Sequence, residues 1–301
     1  MSNAILSPRS RLAPGVDPVA AGRAKRDRVL AWLYAFRCST SALLSEACKV
    51  ERSYPAELKR RGFLRSFDTP HLLARHAWML TEDGLAYAQQ MAAVSTAYDL
   101  NPATVDHRTL RHDLAVQRVV GALRPSLYLP ARMMGKDFPA TKRPDCFVSL
   151  DDTQGLVPAG NHFIETELTP KKDGRELDQA LLNGIRSVDE DRCDTVVYVS
   201  QSHSLLAHYR HYLTNSHGLF RWKYDKETGK WNILAEGHRE LTSDSARLLD
   251  QLTAAMDAAE ASVDAPLDDA IAAVRNPDAG FPDAPSQYFI WWHVPWLLQG
   301  L

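Results

Sequence analysis

Long apolar runs are missing from this chain of 301 residues. No stretch reaches the roughly 18 apolar residues a membrane-spanning helix needs, so no helical channel or transporter is expected. The opening Met-Ser-Asn-Ala-Ile-Leu-Ser-Pro-Arg-Ser-Arg lacks the basic-then-apolar order of a secretory signal. Cysteine is scarce. Cys38, Cys48, Cys146 and Cys193 stand far apart and form no Cys-x-x-Cys pair. They are expected to be reduced, buried residues of a cytoplasmic protein rather than disulfides or zinc ligands. Glycine-rich phosphate loops of the Gly-x-Gly-x-x-Gly and Gly-x-x-x-x-Gly-Lys-Ser/Thr types are absent, as is a Gly-x-Ser-x-Gly elbow. Those absences argue against the corresponding nucleotide sites and serine hydrolases. His203, His208, His211 and His217 lack the tighter combination with Cys or Glu that a zinc site wants. Nothing points to an organic cofactor.

What is present supports a sizeable core, since 45% of the residues are apolar. The length suggests about two domains. A net charge of −2 hides an asymmetry. Gly22–Arg65 carries eleven Lys/Arg against four Asp/Glu, whereas Glu240 to the end carries ten Asp/Glu against two Arg. The basic end suits a polyanion and the acidic end does not.

Residues 1–20 are rich in Ser, Pro, Gly and Ala without periodicity, and read as a flexible arm. Apolar spacing then predicts helices over Ala21–Phe36, Ser41–Cys48 and Arg52–Arg61, the last ended by Gly62. Two short strands, Phe63–Phe67 and Ala74–Leu80, flank Asp68-Thr69-Pro70, and a helix from Thr81 to about Ser95 follows. Tyr98–Pro102 is a linker. Further on, the pattern predicts a helix over Thr104–Leu123 and strands over Leu127–Met133, Asp145–Leu150 and His162–Thr169. A helix over Glu176–Ser187 and a buried strand over Thr195–Val199 come next. A helix (His203–Leu213), a hairpin (Phe220–Tyr224 with Trp231–Ala235) and a long acidic helix (Ser243–Val263) complete the reading. The aromatic tail Tyr288–Leu298 is expected to pack back on the core or to form a partner patch.

One stretch concentrates chemistry. Asp145 opens one strand; Glu165 and Glu167 lie two apart on the next, so a strand points both to one face. Acidic groups beside apolar strand residues are costly unless solvated, paired or metal-bound.

Three helices, a hairpin and a helix, with "Leu58-Lys59-Arg60-Arg61-Gly62-Phe63-Leu64" and "Trp78-Met79-Leu80-Thr81-Glu82-Asp83-Gly84", resemble the recognition helix, wing and "LTxxG" helix start of winged helix-turn-helix proteins. The resemblance implies that the third helix enters the major groove of double-stranded DNA and presents Lys49, Arg52, Lys59, Arg60 and Arg61. The alternative is a solvated face on a protein-interaction module.

The order helix, three strands, helix, strand, with "Lys142-Arg143-Pro144-Asp145" and "Phe163-Ile164-Glu165-Thr166-Glu167-Leu168", resembles the PD-(D/E)XK nuclease superfamily. With "Arg111-His112-Asp113-Leu114-Ala115-Val116" and the preceding winged helix, residues 22–215 resemble the replication-relaxation family of plasmids and conjugative elements. The expected fold class is therefore α/β (α+β): a winged helix over 21–98, a PD-(D/E)XK-like αβββαβ domain over 104–240, and a C-terminal extension over 241–301. The resemblance implies a DNA-binding protein of a mobile element, acting in replication, relaxation or transfer. It also implies Asp145, Glu165 and Glu167 as ligands of Mg²⁺ or Mn²⁺ in DNA cleavage. Glu167 stands where the superfamily has a lysine; the resemblance leaves two ways to keep the site, Glu167 itself as an additional base or ligand, as in a restriction-enzyme branch of the superfamily, or Lys171 or Lys172 reaching back past Pro170. Arg143 is a phosphate-binding candidate; His112 and Gln179 are accessory candidates. The implied partners are double-stranded DNA and either a second copy or other element-encoded proteins, with no membrane. The alternative is a non-catalytic regulator or relaxosome accessory protein built on a degenerate scaffold.

Overall fold

Asp17 sets the first helical start: its side chain accepts the Val19 N–H at 2.9 Å, and Pro18 occupies the first turn. In the computed structural model, residues 17–92, 95–135, 143–171, 174–215, 222–226, 230–233 and 288–299 are described. Most of the expected arm, the expected helix over Ser243–Val263, Lys142 and Lys172 lie outside them. The chain divides into two compact units, Met1–His107 and Arg108–Leu301. Both combine helices with sheet, which makes the fold a mixed one of the α+β kind. No helix among the described residues is long and apolar enough to cross a membrane.

The first unit runs α1 (Pro18–Phe36), β1 (Cys38–Ser39), α2 (Ser41–Cys48), α3 (Tyr54–Arg60), β2 (Leu64–Asp68), β3 (His76–Leu80) and α4 (Glu82–Met91). Pro18–Ala20, expected in the arm, belong to α1 because of the Asp17 cap. α3 starts two residues later than expected, with Pro55 in its first turn. α4 stops at Met91, where Ala92 turns extended. The strands form one antiparallel sheet in the order β1-β3-β2, so two residues after α1 close the hairpin's inner edge. Leu30, Leu33, Leu44, Leu58, Met79 and Leu80 make its buried centre.

The start of α4 has a specific cause. The Thr81 N–H donates to the Phe63 carbonyl at 3.0 Å, and the Thr81 hydroxyl accepts the Gly84 N–H at 3.1 Å. A Cβ at position 84 would collide with the Phe63 carbonyl oxygen. The Thr and Gly of this motif therefore let α4 begin against the backbone that leaves α3.

The second unit contains α5 (His107–Leu123, from its second residue), β4 (Leu127–Pro130), β5 (Cys146–Leu150), β6 (Gly160–Thr166), α6 (Gly174–Asp189), β7 (Thr195–Ser200), α7 (His203–Asn215), a hairpin of β8 (Trp222–Asp225) and β9 (Lys230–Ile233), and β10 (Phe289–His293). Five strands form a sheet in the order β10-β7-β6-β5-β4. β4, β5 and β6 pair antiparallel; β6 with β7 and β7 with β10 pair parallel. β7, the sequence Thr-Val-Val-Tyr-Val-Ser, is buried at every position, as a strand covered on both faces should be. Leu177, Leu181, Ile185 and Val188 of α6 repeat at helical spacing and pack into one cluster with Phe163, Val196, Tyr198, Tyr209 and Phe289. Complete burial of one such side chain contributes about 1.5–3 kcal/mol.

Two expectations change here. The strand expected over Leu127–Met133 ends at Pro130 and continues as a 3-10 turn. The aromatic tail, expected only to pack or to form a patch, supplies a strand of the sheet. It reaches α6 where Gly184 leaves room: a Cβ there would lie 2.5 Å from Phe289 Cε1. The turn after β10 is clasped by Arg118 of α5, whose Nη1 donates to the carbonyls of Trp296, Leu297 and Gln299 at 3.0, 3.2 and 2.6 Å.

Candidate functional site

A cavity of about 450 Å³ opens in the second unit where β6 leaves the sheet. α5 contributes Arg108, Arg111 and His112 to its wall, and the segment around the end of β6 contributes Glu165 to Thr169 and Lys171. Asp145, Gln201 and Leu298 complete it. The register explains the convergence. Cys146 pairs with Ile164, so Asp145, one step before Cys146, falls beside Glu165 at the same end. β6 is also held by β7 there: Glu165 faces Tyr198 in register, and the Glu167 N–H donates to the Val199 carbonyl at 2.8 Å.

Asp145 is tightly engaged. Its Oδ2 accepts the Thr166 N–H at 2.7 Å and faces His112 Nε2 at 3.1 Å. His112 Nε2 also meets the Thr166 carbonyl at 3.0 Å, and Nδ1 faces Asp113 Oδ1 at 3.5 Å. A carbonyl and a carboxylate only accept, so these contacts favour the imidazolium form of His112. Burial opposes that charge, but the hydrogen bonds to Asp113 and Asp145 outweigh it and hold the His112 pKa up at about 10.

Glu167 is buried, and Lys171 reaches back past Pro170 to pair with its Oε1. The Lys171 N–H donates to the Tyr209 hydroxyl at 3.1 Å, and the Ser200 hydroxyl donates to the Glu167 carbonyl at 2.7 Å. Burial, reinforced by Glu167, pushes the Tyr209 phenol up. Tyr198 is raised for the same first reason, with Glu165 and Glu167 adding to it. Neither phenol ionises near neutral pH. The hydroxyl of Thr166 is buried beside this cavity, with no hydrogen-bond partner among the described residues.

The cavity thus brings together Asp145, Glu165, Glu167, Lys171 and His112. It does not include Arg143, which is exposed, or Gln179, which is half-buried on α6. Arg108 and Arg111 are additional residues, absent from the expected set. Their spacing with His112, i, i+3 and i+4 on one helix face, was a readable signal. Leu298 and Gln201 had none, because only folding returns them to this place.

The expected metal ligands do not fit a divalent ion as they stand. Among the described residues, no group of three or more His, Cys, Asp or Glu side chains is arranged to hold one. Asp145 faces an imidazolium and Glu167 an ammonium, where hard-ion sites present open oxygens.

The four cysteines are buried. Burial pushes the thiols of Cys48 and Cys193 up to about 12 and that of Cys146 higher, so these are packing residues rather than nucleophiles.

In the first unit, Lys49, Arg52, Lys59, Arg60 and Arg61 are all exposed. The expectation that the third helix presents all five is corrected: they do not share one helix. Lys49 ends α2 in a left-handed conformation, Arg52 lies in the following turn, and Lys59 and Arg60 sit on α3 with Arg61 at its cap. Lys59 Nζ donates to Ser66 Oγ at 2.9 Å, and Arg61 pairs with Glu57 at 2.5 Å one turn back. The hairpin loop is closed by the Thr69 N–H donating to the Arg75 carbonyl at 2.9 Å.

Comparison with family models, curated proteins and solved structures finds no match.

Proposed function

We propose that this protein is a DNA-binding protein of a mobile genetic element, acting in replication, relaxation or transfer. Its first unit is read as a winged helix that docks on duplex DNA, and its second as a nuclease-like domain. The observation that carries the reading is the first unit's connectivity joined to its charge. A helix–strand–helix–helix–hairpin chain closes its sheet with the two-residue β1, and five exposed cations gather on and around α3. In that arrangement α3 would enter the major groove, with the hairpin loop against the backbone. The motif resemblance supports the mobile-element context.

For the second unit, the helix, three strands, helix, strand order from α5 to β7 supports the nuclease-like reading. The pairing of Asp145 with His112 and of Glu167 with Lys171 favours a unit that grips DNA without cutting it. Cleavage with Mg²⁺ or Mn²⁺ is the second reading, favoured by three carboxylates lining one cavity.

Two experiments test this. Duplex DNA should bind with an affinity that falls steeply with salt, and Arg60→Ala with Arg61→Ala should weaken it about tenfold or more and flatten the salt slope by about two. Indifference to these changes would remove the winged-helix docking. Supercoiled plasmid incubated with Mg²⁺ or Mn²⁺ should stay intact. Nicking that is lost in Asp145→Ala would instead establish the cleaving reading.

A further inference from the structure

We propose that residues 98–105 form a releasable strap: it closes on the first unit through Arg37, opens without unfolding that unit, and when closed steadies the hairpin sheet. That it thereby regulates duplex binding rests on the function proposed above. The strap itself does not.

The hold is polar, and one side chain makes most of it. Arg37 Nε donates to the Asp99 carbonyl at 3.1 Å, Nη1 to the Thr104 carbonyl at 3.2 Å and Nη2 to the Asn101 carbonyl at 3.0 Å. Nη2 also pairs with Asp99 Oδ2 at 3.2 Å and donates to the Thr104 hydroxyl. In return, the Tyr98 hydroxyl donates to the Arg37 carbonyl at 2.6 Å. Little apolar surface goes with these bonds. Within the strap only Val105 is buried, whereas Asp99, Asn101, Ala103 and Thr104 are exposed. A segment fixed by exposed polar bonds, with few buried apolar contacts, belongs to the part of a fold that opens first.

Backbone strain points the same way. Arg37 has φ 70° and ψ −49°, near the rare γ-turn form and outside helix and strand. Glycine adopts positive φ freely, yet the chain places here a residue whose guanidinium spans three carbonyls. Such strain persists where surrounding contacts over-determine the conformation, and the contacts of this side chain are those of the strap. Opening the strap removes them. The sheet is next in line. Arg37 leads directly into β1, whose Cys38 and Ser39 pair with Met79 and Trp78 of β3. The Tyr98 hydroxyl that donates to Arg37 also accepts the N–H of Leu80, the last residue of β3, at 3.4 Å. The closed strap therefore ties the start of β1 to the end of the hairpin.

The test is amide hydrogen exchange of the full chain, alone and with a saturating mixed-sequence duplex. The amides of Asn101, Ala103, Thr104 and Val105 are hydrogen-bonded within the strap. In the chain alone they are expected to exchange together, about tenfold or more faster than those of α2 and β3. Arg37→Gly removes the clasp and the strain together, and should speed strap exchange about tenfold at an unchanged urea midpoint. Tyr98→Phe keeps the ring stacked on Tyr34 but loses both hydroxyl bonds, and should speed it about threefold. Strap amides that exchange at the rate of the core would overturn the proposal. So would a midpoint that falls in step with strap exchange in Arg37→Gly, since the strap would then be a fixed part of the unit. Duplex should slow strap exchange about threefold, and by reciprocity the open-strap chain, Arg37→Gly with Tyr98→Phe, should bind duplex about threefold more weakly. Unchanged strap exchange at saturating duplex would overturn the coupling to the hairpin. A chain that binds no duplex would count against the function proposed above, and exchange of the chain alone would still decide the strap.

Discussion

His112 Nε2 lies 3.1 Å from Asp145 Oδ2, and the same carboxylate oxygen accepts the Thr166 N–H at 2.7 Å. This contact joins the first turns of α5 to the start of β5 and the end of β6. Asp145, one of the three expected metal ligands, is thereby engaged by the protein itself.

The pairing predicts a pH dependence. Asp113 and Asp145 raise the folded pKa of His112 to about 10, from an ordinary value of 6.5. A raised folded pKa means the folded state holds the proton more tightly than the unfolded one. The stability contributed is full below about 6.5 and is lost as pH rises through about 10. An NMR titration should place the His112 ring midpoint near the upper value, and Asp145→Asn should lower it. A midpoint near 6.5 in the unaltered protein would remove the imidazolium from the site.

Glu167 and Lys171 form a second pair, with Glu167 at 7% exposure. Glu167→Gln leaves the ammonium without its partner and should destabilise by about 1–3 kcal/mol in urea unfolding. Adding Lys171→Met should recover part of that loss. Strict additivity of the two changes in a double-mutant cycle would show that the pair contributes nothing.

Gly84→Ala places a methyl against the Phe63 carbonyl. The first turn of α4 must then move, and Phe63 is backbone that cannot swing aside. The expected loss is about 1–3 kcal/mol, read as a lower unfolding midpoint of the first unit. An unchanged midpoint would contradict the close approach.

Gly184→Ala sets its methyl against the Phe289 ring, 2.5 Å from Cε1. It should loosen β10 and speed proteolysis of the C-terminal segment. Removing residues 288–301 should go further, exposing the edge of β7 and the apolar cluster around Tyr198 and causing aggregation. A stable, monodisperse truncated protein would return the tail to the role of a detachable patch.

The sequence alone determined what local physics decides. Helical and strand periodicities located α2, β5, β7 and most of α5 and α6 to within a residue or a few, because burial of one face writes itself into spacing. The Leu-Thr-x-x-Gly start of α4 was legible because a cap and a close approach demand particular residues. The sequence also singled out Asp145, Glu165, Glu167, Lys171 and His112. Tertiary structure alone decided how they pair. Whether a carboxylate meets a metal, an imidazolium or an ammonium depends on where α5 and the segment after β6 come to rest, and no spacing encodes that. The same holds for β10. Its Phe-Ile-Trp-Trp-His stretch is apolar enough for a strand, but parallel pairing with β7 is a long-range contact that only the folded chain creates. Arg118, 8% exposed in the middle of α5, shows it at the scale of one residue: its buried charge makes sense only once the last turn brings three carbonyls to it.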